Sequence, residues 1–130
     1  MNKRINHSSG APWEDTVGYS RAVQIGNLLE ISGTVATNEQ GIAQHPTDVY
    51  LQTQFILEKI KSVLEKAGFT LEDVVRTRLY VTDISKWEKI GKAHGEYFTS
   101  IKPATSMVEV SKLIDDAYLI EIEVTALKAS

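Results

Sequence analysis

Two segments of this chain alternate apolar and polar side chains with a period of two. In Tyr118 to Leu127, Ile120, Ile122, Val124 and Ala126 oppose Glu121, Glu123 and Thr125; in Val74 to Val81, Val75, Thr77, Leu79 and Val81 oppose Arg76, Arg78 and Tyr80. Successive strand side chains point to opposite faces, so both segments require a sheet with one dry face and one polar face. Such a sheet needs a cover on one side. Two stretches of helical period supply it: Val49, Ile56, Ile60, Val63, Leu64 and Ala67 form one stripe, and Trp87, Ile90, His94, Tyr97 and Phe98 the other. Thr47 or Asp48 is placed to cap the first helix and Gly68 to stop it. Ser85 and Glu88 have the spacing of a capping box before the second.

The remaining segments fill in the sheet. Residues 1–7 read as a short edge strand. The stretch from Ser8 to Thr16 is turn-rich, with Trp13 expected to cap the core. Tyr19 to Ile25 and Leu28 to Ser32 bracket Gly26-Asn27 as a tight hairpin, and Gly33 allows close backbone approach. After Lys102-Pro103 breaks the second helix, a further strand places Ser106, Val108 and Val110 on one face and Thr105, Met107 and Glu109 on the other. The reading is an α+β single domain over residues 1–130, a six-stranded mixed sheet with two helices packed on one face. The uncovered face, expected to carry Tyr19, Arg78, Tyr80 and Met107, implies self-association.

Composition narrows the chemistry. A chain of 130 residues, 42% hydrophobic and 24% charged, has the size and balance of one soluble domain. It holds no apolar run long enough for a bilayer and no apolar secretory leader, so no membrane partner and a cytoplasmic location are expected. With no cysteine, disulfides and thiolate chemistry are excluded. A net charge of −3 without a basic patch argues against nucleic acid. His7 and His45 fall in expected loops without a partner at ligand spacing, and His94 lies in an apolar helical stripe, so neither a metal site nor a Ser-His-Asp triad is read.

Several segments, in this order, carry a resemblance: Gly18-Tyr19-Ser-Arg-Ala-Val, Ile31-Ser-Gly33, Ala67-Gly68 followed by Asp73-Val-Val, Tyr80-Val-Thr-Asp83, Pro103-Ala104, Val108-Glu109-Val110 and Ile120-Glu-Ile-Glu123. On these residues the chain resembles the RidA (YjgF-like) family from about residue 3 to residue 127. The resemblance implies a chorismate-mutase-like fold and a homotrimer whose sheets line a central barrel. It also implies a small-molecule ligand in three inter-subunit clefts. The activity it implies is hydrolysis of reactive imines and enamines with no metal or organic cofactor. A ribonuclease role attached to some relatives is disfavoured by the acidic charge.

Carried onto this sequence, the family's cleft tyrosine falls on Tyr19, its Ser-Gly pair on Ser32 and Gly33, and its water-positioning glutamate on Glu121. The arginine that holds a substrate carboxylate falls on Thr105, the cysteine two residues later on Met107, and an asparagine of the second helix on Gly91. A threonine hydroxyl cannot replace a guanidinium's charge or its bidentate geometry. The substrate is therefore either uncharged at that end or held by another cation. Arg78 is the candidate cation; alternatively, Arg76 and Arg78 pair with Glu109, Glu121 or Glu123 in a structural ion network. Glu121 is expected to act as a general base towards water, or else to be a solvated or ion-paired strand residue. Two functions follow: a cofactor-free imine or enamine hydrolase with a substrate other than the classical 2-imino acids, or a non-catalytic trimeric ligand binder or stress-related interaction protein.

Overall fold

A computed structural model describes residues 3–129. In chain order the elements are β1 (Arg4–His7), α1 (Pro12–Val17), β2 (Ala22–Ile25), β3 (Leu28–Thr34), α2 (Val49–Lys66), β4 (Val74–Val81), α3 (Trp87–Phe98), β5 (Ala104–Glu109) and β6 (Ile120–Leu127). The strands form one mixed sheet of order β1-β2-β3-β6-β4-β5. Every pairing is antiparallel except β4–β5, which is parallel and connected through α3. The strand count, the mixed sheet and the α+β class are as the periodicities require.

The core lies between the dry face of this sheet and helices α2 and α3. Ile56, Leu57, Ile60 and Leu64 of α2 are fully buried, as are Ile120 and Ile122 of β6. β6 keeps strict alternation: residues 120, 122, 124 and 126 are buried, and the residues between them are half-buried. Ile90, Ala93 and Phe98 extend the core from α3. One buried polar side chain fastens helix to loop. Gln52 Nε2 donates to the carbonyls of Gln44 (3.0 Å) and Ala117 (2.8 Å), and its Oε1 accepts from Leu119 N at 2.8 Å.

Helix ends show which local signals operate. Asp48 rather than Thr47 caps α2, accepting from Leu51 N at 3.0 Å. Gly68 follows the C-cap at φ +83°, the left-handed turn that glycine adopts without strain. The expected Ser85–Glu88 capping box does not form. Asp83 accepts from Ser85 N instead, starting a 3₁₀ turn that runs directly into α3.

Five expectations are corrected. The turn-rich stretch contains α1, with Pro12 in its first turn and Gly18 at φ +90° closing it. Its buried residue is Glu14, and Trp13, one position away around the helix, is 66% exposed rather than capping the core. In β4 a register shift between Val74 and Arg76 buries Val74 and turns Val75 outward, so the dry face is Val74, Thr77, Leu79 and Val81. Trp87, expected in the apolar stripe of α3, is 56% exposed at its first turn. His7 lies within β1, its Nε2 2.9 Å from Gln24 Oε1, and the expected start of that strand at residues 1–2 falls outside the described residues.

Candidate functional site

The site candidates separate into two groups on one chain, and the sheet itself separates them. The first group surrounds the end of β3. Here β3 and β6 lose register between Ile31 and Thr34, so Gly33 stands in an irregular stretch, and the Glu121 side chain lies against it. A Cβ built on Gly33 would lie 2.0 Å from Glu121 Oε2 and 2.9 Å from its carboxyl carbon. The carboxylate therefore rests directly on the glycine backbone, where only a residue without a side chain leaves room.

Arg21 enters the same place from the start of β2. Its Nη2 donates to the Gly33 carbonyl at 2.7 Å, and its guanidinium carbon lies 6.0 Å from the Tyr19 ring centre. Arg21 Nε is buried without a hydrogen-bond partner among the described residues. Ser32 is turned back on its own backbone, its Oγ donating to Ser20 O at 2.7 Å. Tyr19 and Ser32 also line an open concavity of about 480 Å³, shared with Arg4, Asn6, Glu14 and Ser20.

Charge in this group is tuned by burial. Desolvation pushes the Glu121 carboxyl above its ordinary value, Glu123 adds to the rise, and Arg21 opposes it. A raised carboxyl that is half-buried can exchange a proton with water nearer neutrality than a free glutamate does. Burial alone would also raise Glu14. Hydrogen bonds from the Ser9 hydroxyl and the Ser9 amide, the Ser8 hydroxyl and the charge of Arg21 outweigh it and carry Glu14 below its usual range. Nearby Lys59 is pushed down to about 8, first by burial and then by Arg21, while its Nζ donates to the Val35 (3.1 Å) and Thr37 (2.8 Å) carbonyls.

The second group lies on β5, an edge strand. The parallel register pairs Thr77 with Thr105 and Leu79 with Met107. Thr105 and Met107 therefore share the helix-covered face with Thr77 and Leu79. Thr105 Oγ1 is 2.8 Å from Thr77 Oγ1, which is in turn 2.9 Å from His94 Nε2 on α3, and Met107 packs against the core. Burial pushes the His94 imidazole below its usual value. Met107 accordingly does not belong to the uncovered face as expected.

Arg78 is on that uncovered face, paired with Ser106 on one side and Glu123 on the other. Arg78 and Thr105 of one chain therefore project to opposite sides of the sheet, and Arg78 cannot stand beside a ligand at Thr105 of its own chain. Two acids of the expected ion network make other bonds: Glu109 Oε1 accepts from Ile84 N at 3.0 Å, and Glu123 Oε1 from Tyr80 Oη at 2.8 Å. Arg76 Nη2 donates to Ser106 Oγ at 2.8 Å.

Sequence reasoning missed Arg21, Glu14 and the Thr77–His94 pair. Arg21 was findable, since it follows Tyr19 by two residues and so shares its direction in an extended segment. Among the described residues no group of three or more His, Asp or Glu could hold a metal ion, and no helix is long and apolar enough to cross a membrane.

Comparison with known proteins bears on the same residues. The model of the Endoribonuclease L-PSP family matches residues 11–128. A RutC family protein of Pyrococcus horikoshii is 40% identical over 110 residues, 85% of this chain and 86% of its own length. A RutC family protein of Haemophilus influenzae is 34% identical, with 98% of this chain and 99% of the other aligned. Among solved structures, a member of the YjgF/YER057c/UK114 family from Mycobacterium tuberculosis superposes with a TM-score of 0.87 at 46% identity, covering 97% of this chain and all of that one (100%). The YjgF gene product of E. coli gives 0.79 at 29% identity over 95% and 94% of the two chains.

Proposed function

We propose, since this chain belongs to the Endoribonuclease L-PSP family (which includes YjgF and RutC proteins), that it is a cofactor-free cytoplasmic hydrolase of reactive imines or enamines. Its substrate differs from the classical 2-imino acids, and it works as a homotrimer with its clefts between subunits. The observation that carries this reading is the Glu121 carboxylate, half-buried, raised in pKa and lodged on the Gly33 backbone beside Arg21. A water held by Glu121 gives up a proton to the carboxylate as its oxygen attacks the C=N carbon. Glu121 passes that proton to nitrogen to give a carbinolamine, then takes the proton of the new hydroxyl and hands it to the same nitrogen as the C–N bond breaks, so that a carbonyl compound and ammonia leave. Tyr19, Ser32 and Gly33 shape the wall on this side.

The two site groups lie apart on one chain, which is the arrangement a cleft between copies requires: Glu121, Gly33 and Tyr19 from one subunit facing Thr105 and Met107 of its neighbour. Arg78 shares the uncovered face with Glu121 and Tyr80, so a role in ligand binding would be on the Glu121 side. The net charge of −3 gives no general attraction to an RNA backbone, so the ribonuclease description attached to the family is not carried to this chain.

The test is to generate imines by two-electron oxidation, with an amino-acid oxidase for amino acids and an amine oxidase for amines and amino amides, and to follow ammonia release. Acceleration over the spontaneous rate that is lost in Glu121→Gln supports the reading. No acceleration for any imine, with ligand binding intact, overturns it in favour of a non-catalytic binder.

A further inference from the structure

Thr105 ends a hydrogen-bond chain that begins in the helix layer. His94 Nε2 lies 2.9 Å from Thr77 Oγ1, Thr77 Oγ1 lies 2.8 Å from Thr105 Oγ1, and Thr105 Oγ1 lies 3.1 Å from the Pro103 carbonyl oxygen. Thr77 is fully buried, whereas Thr105 is exposed on the outer strand of the sheet. Each hydroxyl has one proton to give and two lone pairs to offer.

Counting protons fixes the polarity at the open end. In one sense Thr105 donates to the Pro103 carbonyl, which can only accept. Thr105 then accepts from Thr77, and Thr77 accepts from His94 Nε2–H. Run in the opposite sense, Thr105 donates to Thr77 and Thr77 donates to His94. In both senses the single Thr105 proton is directed into the protein, and a lone pair faces outward. A Thr105 that donated outward would give its proton to neither Pro103 nor Thr77. The Phe98 ring centre lies 4.7 Å from that of His94, so an aromatic side chain of the same helix packs against the imidazole.

We propose that Thr105 is a hydrogen-bond acceptor towards the ligand, selecting an N–H-bearing group such as an amide, amine or iminium over a carboxylate, with His94 as the positioning residue that holds it so through Thr77. The inference rests on the reading of this strand as a cleft wall and names the substrate class that the wall takes. A carboxylate has no proton to offer the outward lone pair and is repelled by it. Burial lowers the His94 pKa, so near neutral pH the ring carries no charge that would draw an anion to this end.

The experiment uses two shape-matched probes, propionamide and propionate, titrated at pH 7 into protein carrying ¹³C-labelled threonine methyl groups. Propionamide is expected to move the Thr105 methyl signal and to saturate at a concentration at least about tenfold lower than propionate, about 1.4 kcal/mol. Read at the methyl of Thr77, the hydroxyl neighbour of Thr105, Thr105→Val brings that ratio close to one and Thr105→Ser keeps it. His94→Phe lowers the ratio, and His94→Gln, which restores an N–H donor, recovers it. Equal or tighter binding of propionate, a ratio unchanged in Thr105→Val, or no movement with either probe overturns the proposal. No turnover enters the readout. A protein that hydrolyses nothing yet prefers propionamide loses the hydrolase reading alone, and one that hydrolyses imines without the preference loses the acceptor assignment alone.

Discussion

Glu121 occupies the space that a side chain at position 33 would fill, its Oε2 only 2.0 Å from where the Cβ of that residue would stand. Gly33 is not in the left-handed region, so alanine fits the backbone there and the whole conflict falls on the carboxylate. Gly33→Ala is therefore expected to leave the fold intact while swinging Glu121 away towards solvent. A ¹³C titration of the Glu121 carboxyl checks this: its pKa falls back towards 4.5, the ordinary value, because the desolvation that raised it is relieved. Any imine hydrolysis falls at least about tenfold in the same variant, within the range contributed by a general base.

The raised Glu121 pKa has a definite sign in the pH dependence of stability. A carboxyl whose folded pKa exceeds its unfolded value binds its proton more tightly when folded. Its favourable contribution is present below about pH 4.5 and is lost as pH rises through the folded pKa. Glu121→Gln removes the titration, so the variant is expected to match the parent at pH 4 and to exceed it at pH 7. Solvent screening of the half-open carboxylate keeps the gain under about 1 kcal/mol, at most about 4 °C in Tm. Thermal melts across pH 4–8 measure it, and a parent more stable than the variant at pH 7 contradicts it.

Thr77 is a fully buried hydroxyl with partners on both sides, His94 and Thr105. Valine fills the same volume but satisfies neither. Thr77→Val is expected to lower unfolding free energy by about 1–3 kcal/mol, the cost of leaving buried polar groups unpaired. In urea denaturation, Thr77→Val combined with His94→Phe should cost clearly less than the sum of the two single changes, since the second removes the group stranded by the first.

Gln52 serves three backbone groups at once, the carbonyls of Gln44 and Ala117 and the amide of Leu119. Leucine at this position keeps volume and helix propensity but strands all three. Gln52→Leu is expected to cost roughly 2–4 kcal/mol, more than one unsatisfied group alone. Hydrogen exchange at Leu119 should accelerate ahead of the rest of β6, because that amide loses its side-chain acceptor.

Much of the fold was legible because two periods, 2 and 3.6, run through the segments that build the core. β6 is the clearest case, its buried and half-buried residues following the sequence alternation without a break. In β4 the same reading placed Val75 inside, because a bulge is a property of pairing with β6 and leaves no mark in the alternation of one strand. The separation of Arg78 from Thr105 has the same origin. Each strand's faces could be read by itself, but which face of β5 matches which face of β4 is fixed by the register Thr77↔Thr105. α1 was overlooked although Pro12 and Gly18 bracket it, since six residues are too few to show a helical stripe. Arg21 belongs to the site through a bond to the Gly33 carbonyl, a backbone atom that no side-chain pattern reports.

The position of β6 between β3 and β4 has a consequence for biosynthesis. Strands β1–β3 emerge first as an antiparallel unit, and β4 and β5 follow as a parallel pair joined by α3. Each unit then presents an open edge, β3 on one and β4 on the other, until β6 is made and enters between them. Until that wedge is seated, two unpaired strand edges stay open to other strands. Any delay in seating β6 would therefore prolong the interval in which this chain is most prone to pair with another copy of itself.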